Sequence, residues 1–210
     1  MLNGVSNIKH KVVAEMENIK RYHMEFLEKS RKKIRNGDVF VVKIKDHDLY
    51  FYGKVIDVKA QYGQCAEPIL IYLYKTPTTE IIIPEDMDES DIMTILFNNN
   101  GGWREGFFKT ICNIPVREEE LNIDYGFRSP NHGCFITKEE VEKYSYNHDI
   151  LYLDDGRVLA VAYVDAYNNI RDHIPKITNR YMLGFFSAIF WEISEYLHNN
   201  PDLKKKYGLE

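Results

Sequence analysis

The sequence predicts an α+β fold: a curved, mainly antiparallel sheet or partial barrel, packed by long N-terminal and C-terminal helices. Three observations carry that expectation. Residues 5–35 repeat apolar side chains at steps of three and four. Residues 37–165 alternate β-branched and aromatic runs with turn residues. Residues 181–199 form a wide apolar face at helical spacing. A single domain over 1–210 is expected, with an N-terminal helix over 1–36, a β-rich core over 37–165 and a C-terminal helix over 178–200.

The first helix would place Ile8, Val12, Met16, Ile19, His23 and Phe26 on one face, with Lys, Arg and Glu elsewhere. Asn36-Gly37 should end it, because glycine supplies the left-handed residue after a helix. Its basic end, Lys29, Arg31, Lys32, Lys33 and Arg35, suits the negative pole of a helix dipole. The functional alternative for that cluster is an anion or nucleic-acid patch.

Residues 39–45 and 49–58 read as strands joined by the polar turn Asp46-His47-Asp48. Residues 69–74 are a third strand, and Ile81-Ile82-Ile83 is a short strand ended by Pro84. Residues 91–97 read as a strand, 98–102 as a loop of Asn and Gly, and 103–111 as another strand. Thr137 caps a short helix to about Tyr144, with Glu140 completing a capping box. Residues 150–153 and 158–163 flank Asp154-Asp155-Gly156-Arg157, a hairpin turn. In the last helix Phe186 and Ile189 should be buried, and Pro201 bounds it.

Composition narrows the function. Hydrophobic residues make up 44% and charged residues 28%, as in a folded globular chain. No apolar run is long enough for a membrane span, and residues 1–20 have no secretory h-region. Three cysteines describe no disulfide framework, so a reducing cytoplasm is expected. The terminal Leu209-Glu210 reads as a cloning scar. Net charge is −5, but residues 1–36 hold nine of the 27 basic groups and four of the 32 acidic ones, which leaves −10 elsewhere. An acidic body argues against nucleic acid and fits a basic protein partner.

No P-loop, dinucleotide fingerprint, HExxH, CxxC or GxSxG occurs. Asp46-His47-Asp48 is a ligand-like cluster, but adjacent turn residues point apart, so no metal is assigned. In His132-Gly133-Cys134, Cys134 is a nucleophile candidate without an evident base, so it is read as a small hydrophobe. No catalytic residue and no cofactor are assigned. Glu118-Glu119-Glu120 reads as a solvated face. Glu85, Asp86, Asp88, Glu89 and Asp91 place five carboxylates in seven residues, which solvent or a cationic partner must accommodate. They are the expected partner-binding residues.

The β-rich core resembles the immunity protein 26 family of bacterial polymorphic toxin systems. The resemblance lies in Gly37-Asp38-Val39-Phe40, in Tyr52-Gly53-Lys54-Val55, in the apolar strand 69–74, and in 92–97 followed by Gly102-Trp103. Gly53 is read as a site where another segment approaches closely. The resemblance implies a non-enzymatic immunity protein that neutralises a cognate toxin made by the same cell; the acidic run adds the expectation of a basic partner, such as a nuclease toxin. The alternatives are a protein-binding adaptor or structural module, and a hydrolase using Cys134 or a carboxylate pair.

Overall fold

The computed structural model describes residues 19–60, 68–85, 87–153, 155–179 and 186–210. It is an α+β structure whose two sheets, each mainly antiparallel, are both open. The chain divides into two units, one of Lys20–Ile123 with Leu183–Glu210 and one built on Asp124–Met182.

In the first unit, β1 (Asp38–Lys43), β2 (Tyr50–Asp57), β3 (Ile69–Tyr74), β4 (Ile92–Asn98) and β5 (Lys109–Asn113) form one sheet in the order β4-β3-β2-β1-β5. β1 to β4 are an antiparallel meander, of which the β1–β2 hairpin is the pairing that the short turn at 46–48 predicts. β3 is buried at every position, so both faces of the sheet are covered. Phe40, Val42, Phe51, Val55, Ile71 and Leu73 share one core. On β2 the intervening Tyr52 and Lys54 are also buried. Gly53 admits the ring of Phe40: a Cβ there would stand 2.2 Å from Phe40 Cζ.

Among the expectations that fail in this unit are the N-terminal helix and the strand over 103–111. Residues 19–35 are not helical; residues 1–18 of the expected helix lie outside the described residues. The chain instead runs extended as a strap, bonding Glu25 N to Lys43 O (2.8 Å), Leu27 N to Gly106 O (2.7 Å) and Ser30 N to Trp103 O (2.9 Å). Burial follows period two: Tyr22 and Met24 are buried while Arg21 and His23 are exposed. Tertiary pairing overrides the helical repeat. Gly37 takes the expected left-handed conformation (φ 84°), but it turns the strap into β1.

The second failure is the strand over 103–111. Trp103 belongs to a short helix, α1 (Gly101–Glu105), and β5 begins only at Lys109. The indole packs edge-on against Phe40 (centroids 4.9 Å) and Phe108 (5.0 Å), and its N–H donates to Thr110 Oγ1 at 3.0 Å. The helix turns the indole into that cluster. A second short helix, α2 (Glu118–Leu121), follows β5.

The second unit holds β6 (Tyr125–Ile136), α3 (Val141–Tyr144), β7 (His148–Tyr152), β8 (Val158–Val164) and β9 (Ile177–Asn179), with sheet order β7-β8-β6-β9. β6 and β9 were not legible in the sequence, and β9 pairs parallel to β6. The capping box of Thr137 and Glu140 forms as expected.

The chain returns to the first unit in α4 (Phe186–Asn199) and α5 (Pro201–Lys206). Ile189, Ile193 and Leu197, four apart, are fully buried in the sheet core. The Phe186 side chain lies outside the described residues. Instead of the long packing helices expected, the helices are short, and Pro201 both bounds α4 and opens α5. Leu209 is fully buried, and its carbonyl accepts from Tyr22 Oη at 2.9 Å.

Candidate partner-binding site

The loop from Thr76 to Asp91, between β3 and β4, carries the acidic run. Its structure begins with Tyr52, whose position on β2 sends the phenol under the loop. Tyr52 Oη bonds Thr78 Oγ1 (2.9 Å) and accepts from Ile82 N (3.0 Å). Thr78 exchanges both backbone hydrogen bonds with Tyr50, at 2.8 and 3.0 Å. At the far end, Lys75 N donates to Asp91 O (2.8 Å) and Thr76 Oγ1 to Asp91 Oδ1 (2.7 Å). Arg117 Nη2 donates to Met87 O at 3.0 Å. These bonds tie the two ends of the loop, Ile82 and Met87 to the body of the unit.

The carboxylates of the run divide by role. Asp88 caps a single 3₁₀ turn and accepts from Ser90 N at 2.8 Å. Hydrogen bonds from Ser90, with the Arg117 charge assisting, hold the Asp88 carboxyl below its ordinary value. Asp91 anchors the loop to Thr76. Glu85 and Glu89 are exposed, with no hydrogen-bond or ion-pair partner among the described residues. Asp86 lies outside the described residues.

The sequence reading missed the neighbouring apolar side chains. Ile81-Ile82-Ile83 is not a strand: it is an exposed shelf, with Ile83 65% accessible. Tyr52 holds the Ile82 backbone instead of a neighbouring strand. The available signal was Pro84 immediately after a run too short to pair. A groove of about 280 Å³ runs beside the shelf, lined by Tyr52, Tyr74, Ile82, Pro84 and Met87 among others. An apolar strip rimmed by free carboxylates on an ordered loop has the composition of a protein-binding surface.

Beneath the same sheet, Lys54 and Glu120 form a buried ion pair, with Lys54 Nζ 2.8 Å from both carboxylate oxygens. Glu120 Oε2 also accepts from Arg117 N (2.8 Å), and Tyr72 Oη donates to Glu120 O (2.6 Å). Glu120 is thus no solvated charge but the anchor of α2, and α2 in turn carries the arginine that steadies Met87.

Other candidates are not brought together. Asp46 and Asp48 are exposed, and Asp48 pairs with Lys43 at 3.3 Å. Among the described residues no three His, Cys, Asp or Glu side chains are grouped to hold a metal. Cys134 is exposed on β6 opposite Ala160, while His132 Nδ1 bonds Ser129 Oγ at 2.7 Å. Ser129 is fully buried and closed to substrate. Among the described residues no helix is long and apolar enough to cross a membrane.

Residues 35–134 match the family model of immunity protein 26. The match contains the whole five-stranded sheet, α1, α2 and the Thr76–Asp91 loop. The match covers 100 of the 210 residues, a little under half of the chain. No curated protein and no solved structure matches the chain significantly.

Proposed function

We propose that this chain is a cytoplasmic bacterial immunity protein that binds its cognate toxin and covers the toxin's active surface through the Thr76–Asp91 loop. The observation that carries the reading is the exposed Ile81–Ile83 shelf beside the free Glu85 and Glu89, on a pinned loop within the family-matched region. The isoleucines supply apolar burial at the centre, and the carboxylates form the rim. The partner is a basic toxin domain. A nuclease fits, because a surface that attracts phosphate also attracts carboxylates. Inhibition is steric and needs no catalytic group, metal or cofactor. Charge attraction speeds encounter, which matters when a single free toxin molecule does damage.

The test is association kinetics with the cognate toxin domain at two salt concentrations. Reversing Glu85, Asp86 and Glu89 to Lys should slow association by roughly tenfold or more at low salt and flatten its salt dependence, with a smaller change in dissociation. Association as fast as wild type at low salt would place the contact surface elsewhere.

A further inference from the structure

Lys29, Arg31, Lys32, Lys33 and Arg35 place five cations in seven residues. In a helix they would answer the dipole, but the strap is extended, so that explanation is gone. Arg35 sits 3.5 Å from Asp38, whereas Lys29, Arg31, Lys32 and Lys33 have no ion-pair partner among the described residues.

The same segment forms one wall of a cleft of about 560 Å³. Lys32, Lys33 and Arg35 line one side, and all five residues of β5 line the other. Successive strand residues face opposite ways, so a cleft that meets every one of them follows the strand's edge. β5 is the end strand of its sheet, and no described strand pairs with its outer edge. The two acids in the cleft are already engaged: Asp38 accepts from Asn113 at 2.8 Å, and Glu28 lies 3.7 Å from Lys109.

We propose that the cleft between the strap and β5 is a second binding surface, for an extended acidic polypeptide segment. The segment adds as a strand to the edge of β5 and sets its carboxylates against Lys32 and Lys33. Two observations favour a peptide over a nucleic acid. An open strand edge offers backbone donors and acceptors at peptide spacing, which a sugar-phosphate chain does not match. The residues after 36 carry a balance of −10, which repels a long polyanion but not a short acidic segment seated in the cleft. Lys32 and Lys33 precede the family match while Arg35 and β5 lie inside it, and none of the cleft's lining residues belongs to the Thr76–Asp91 loop, so the proposal concerns a different surface from the toxin reading.

The experiment is fluorescence anisotropy of the full chain at low salt with a labelled peptide of about ten alternating Glu and Thr residues, a strand-forming acidic probe. Binding is expected, and Lys32→Glu with Lys33→Glu should weaken it by roughly tenfold or more. Both lysines are exposed, so the fold should survive, as circular dichroism would check. Methylating alternate backbone nitrogens of the peptide should weaken binding as much, because it removes strand pairing and leaves the charges. Equal binding of the methylated peptide, no effect of the double reversal, or no binding at all overturns the proposal. So does tighter binding of a single-stranded oligonucleotide of equal charge, which would make the cleft a nucleic-acid site.

Discussion

Lys54 is almost fully buried on β2, and its pairing with Glu120 is the interaction most sensitive to single changes. Lys54→Ala strands a buried carboxylate and should cost ~3–5 kcal/mol in urea denaturation, whereas replacing both partners by Met should recover much of the loss. A loss in the double variant equal to the sum of the two single losses would show that the two groups are not coupled. Gly53→Ala drives a methyl into the Phe40 ring and should cost ~1–3 kcal/mol, and a neutral melting curve would contradict that packing. His173 offers a pH-dependent test. Its two nitrogens bond Asp172 Oδ1 (2.7 Å) and Asp124 Oδ1 (2.9 Å), and those hydrogen bonds, Asp172 first, raise its pKa. The Asp172 carboxyl is lowered by the same bond; burial tends to raise Asp124, but its bonds from His173 and Lys176 N outweigh that. The histidine's contribution is therefore complete below the ordinary imidazole value and lost as pH rises through its raised one. The carboxylates' contribution is present above their ordinary values and lost as pH falls through the lowered ones. An NMR titration should place His173 above ~6.5, and His173→Gln should remove the decline in stability as pH rises through that midpoint. A midpoint at or below the ordinary value would mean that the clip does not hold the imidazolium.

The strap, among the elements, separates what the sequence showed from what it hid. A helix would bury His23, whereas the strap buries Tyr22 and Met24. Met24→Ala should thus cost ~2–5 kcal/mol and His23→Ala within ~0.5 kcal/mol, read from urea denaturation. The reverse order would restore the helix. Ile19, His23 and Phe26 satisfy a helical step by accident, while the competing alternation over 21–24 is short and pays off only against partners distant in sequence: Lys43 and Ile44 on one side, Ser194 and Leu209 on the other. β2, β3 and the Thr137 capping box were legible because their signals are local: turn residues, a continuous apolar run, and side chains three residues apart. β6 was hidden by Gly126, Pro130 and Gly133, which read as loop punctuation but fall in a strand whose register with β8 shifts between Ser129 and Cys134. At the candidate site the carboxylates were visible as charge. The exposure of Ile81–Ile83 was not, because it depends on Tyr52 reaching across from β2.

For the whole molecule, the two oppositely charged segments lie on different parts of one unit's chain: carboxylates between β3 and β4, cations before β1. A toxin held through the acidic loop should respond to the apolar shelf as well as to charge. Ile81→Glu with Ile83→Glu should speed toxin dissociation by roughly tenfold or more with little change in the melting temperature, since both side chains are exposed. Unchanged dissociation would remove the shelf from the interface. The central claim, that this chain protects a cell from its cognate toxin, is tested most directly by growth. The toxin encoded beside the chain's own gene is expressed in a sensitive host, alone or with the wild-type chain or the Glu85, Asp86 and Glu89 reversal. The account predicts arrest with toxin alone, growth with the wild-type chain, and weakened rescue by the folded reversal variant. Arrest that persists with abundant, folded wild-type chain would contradict it.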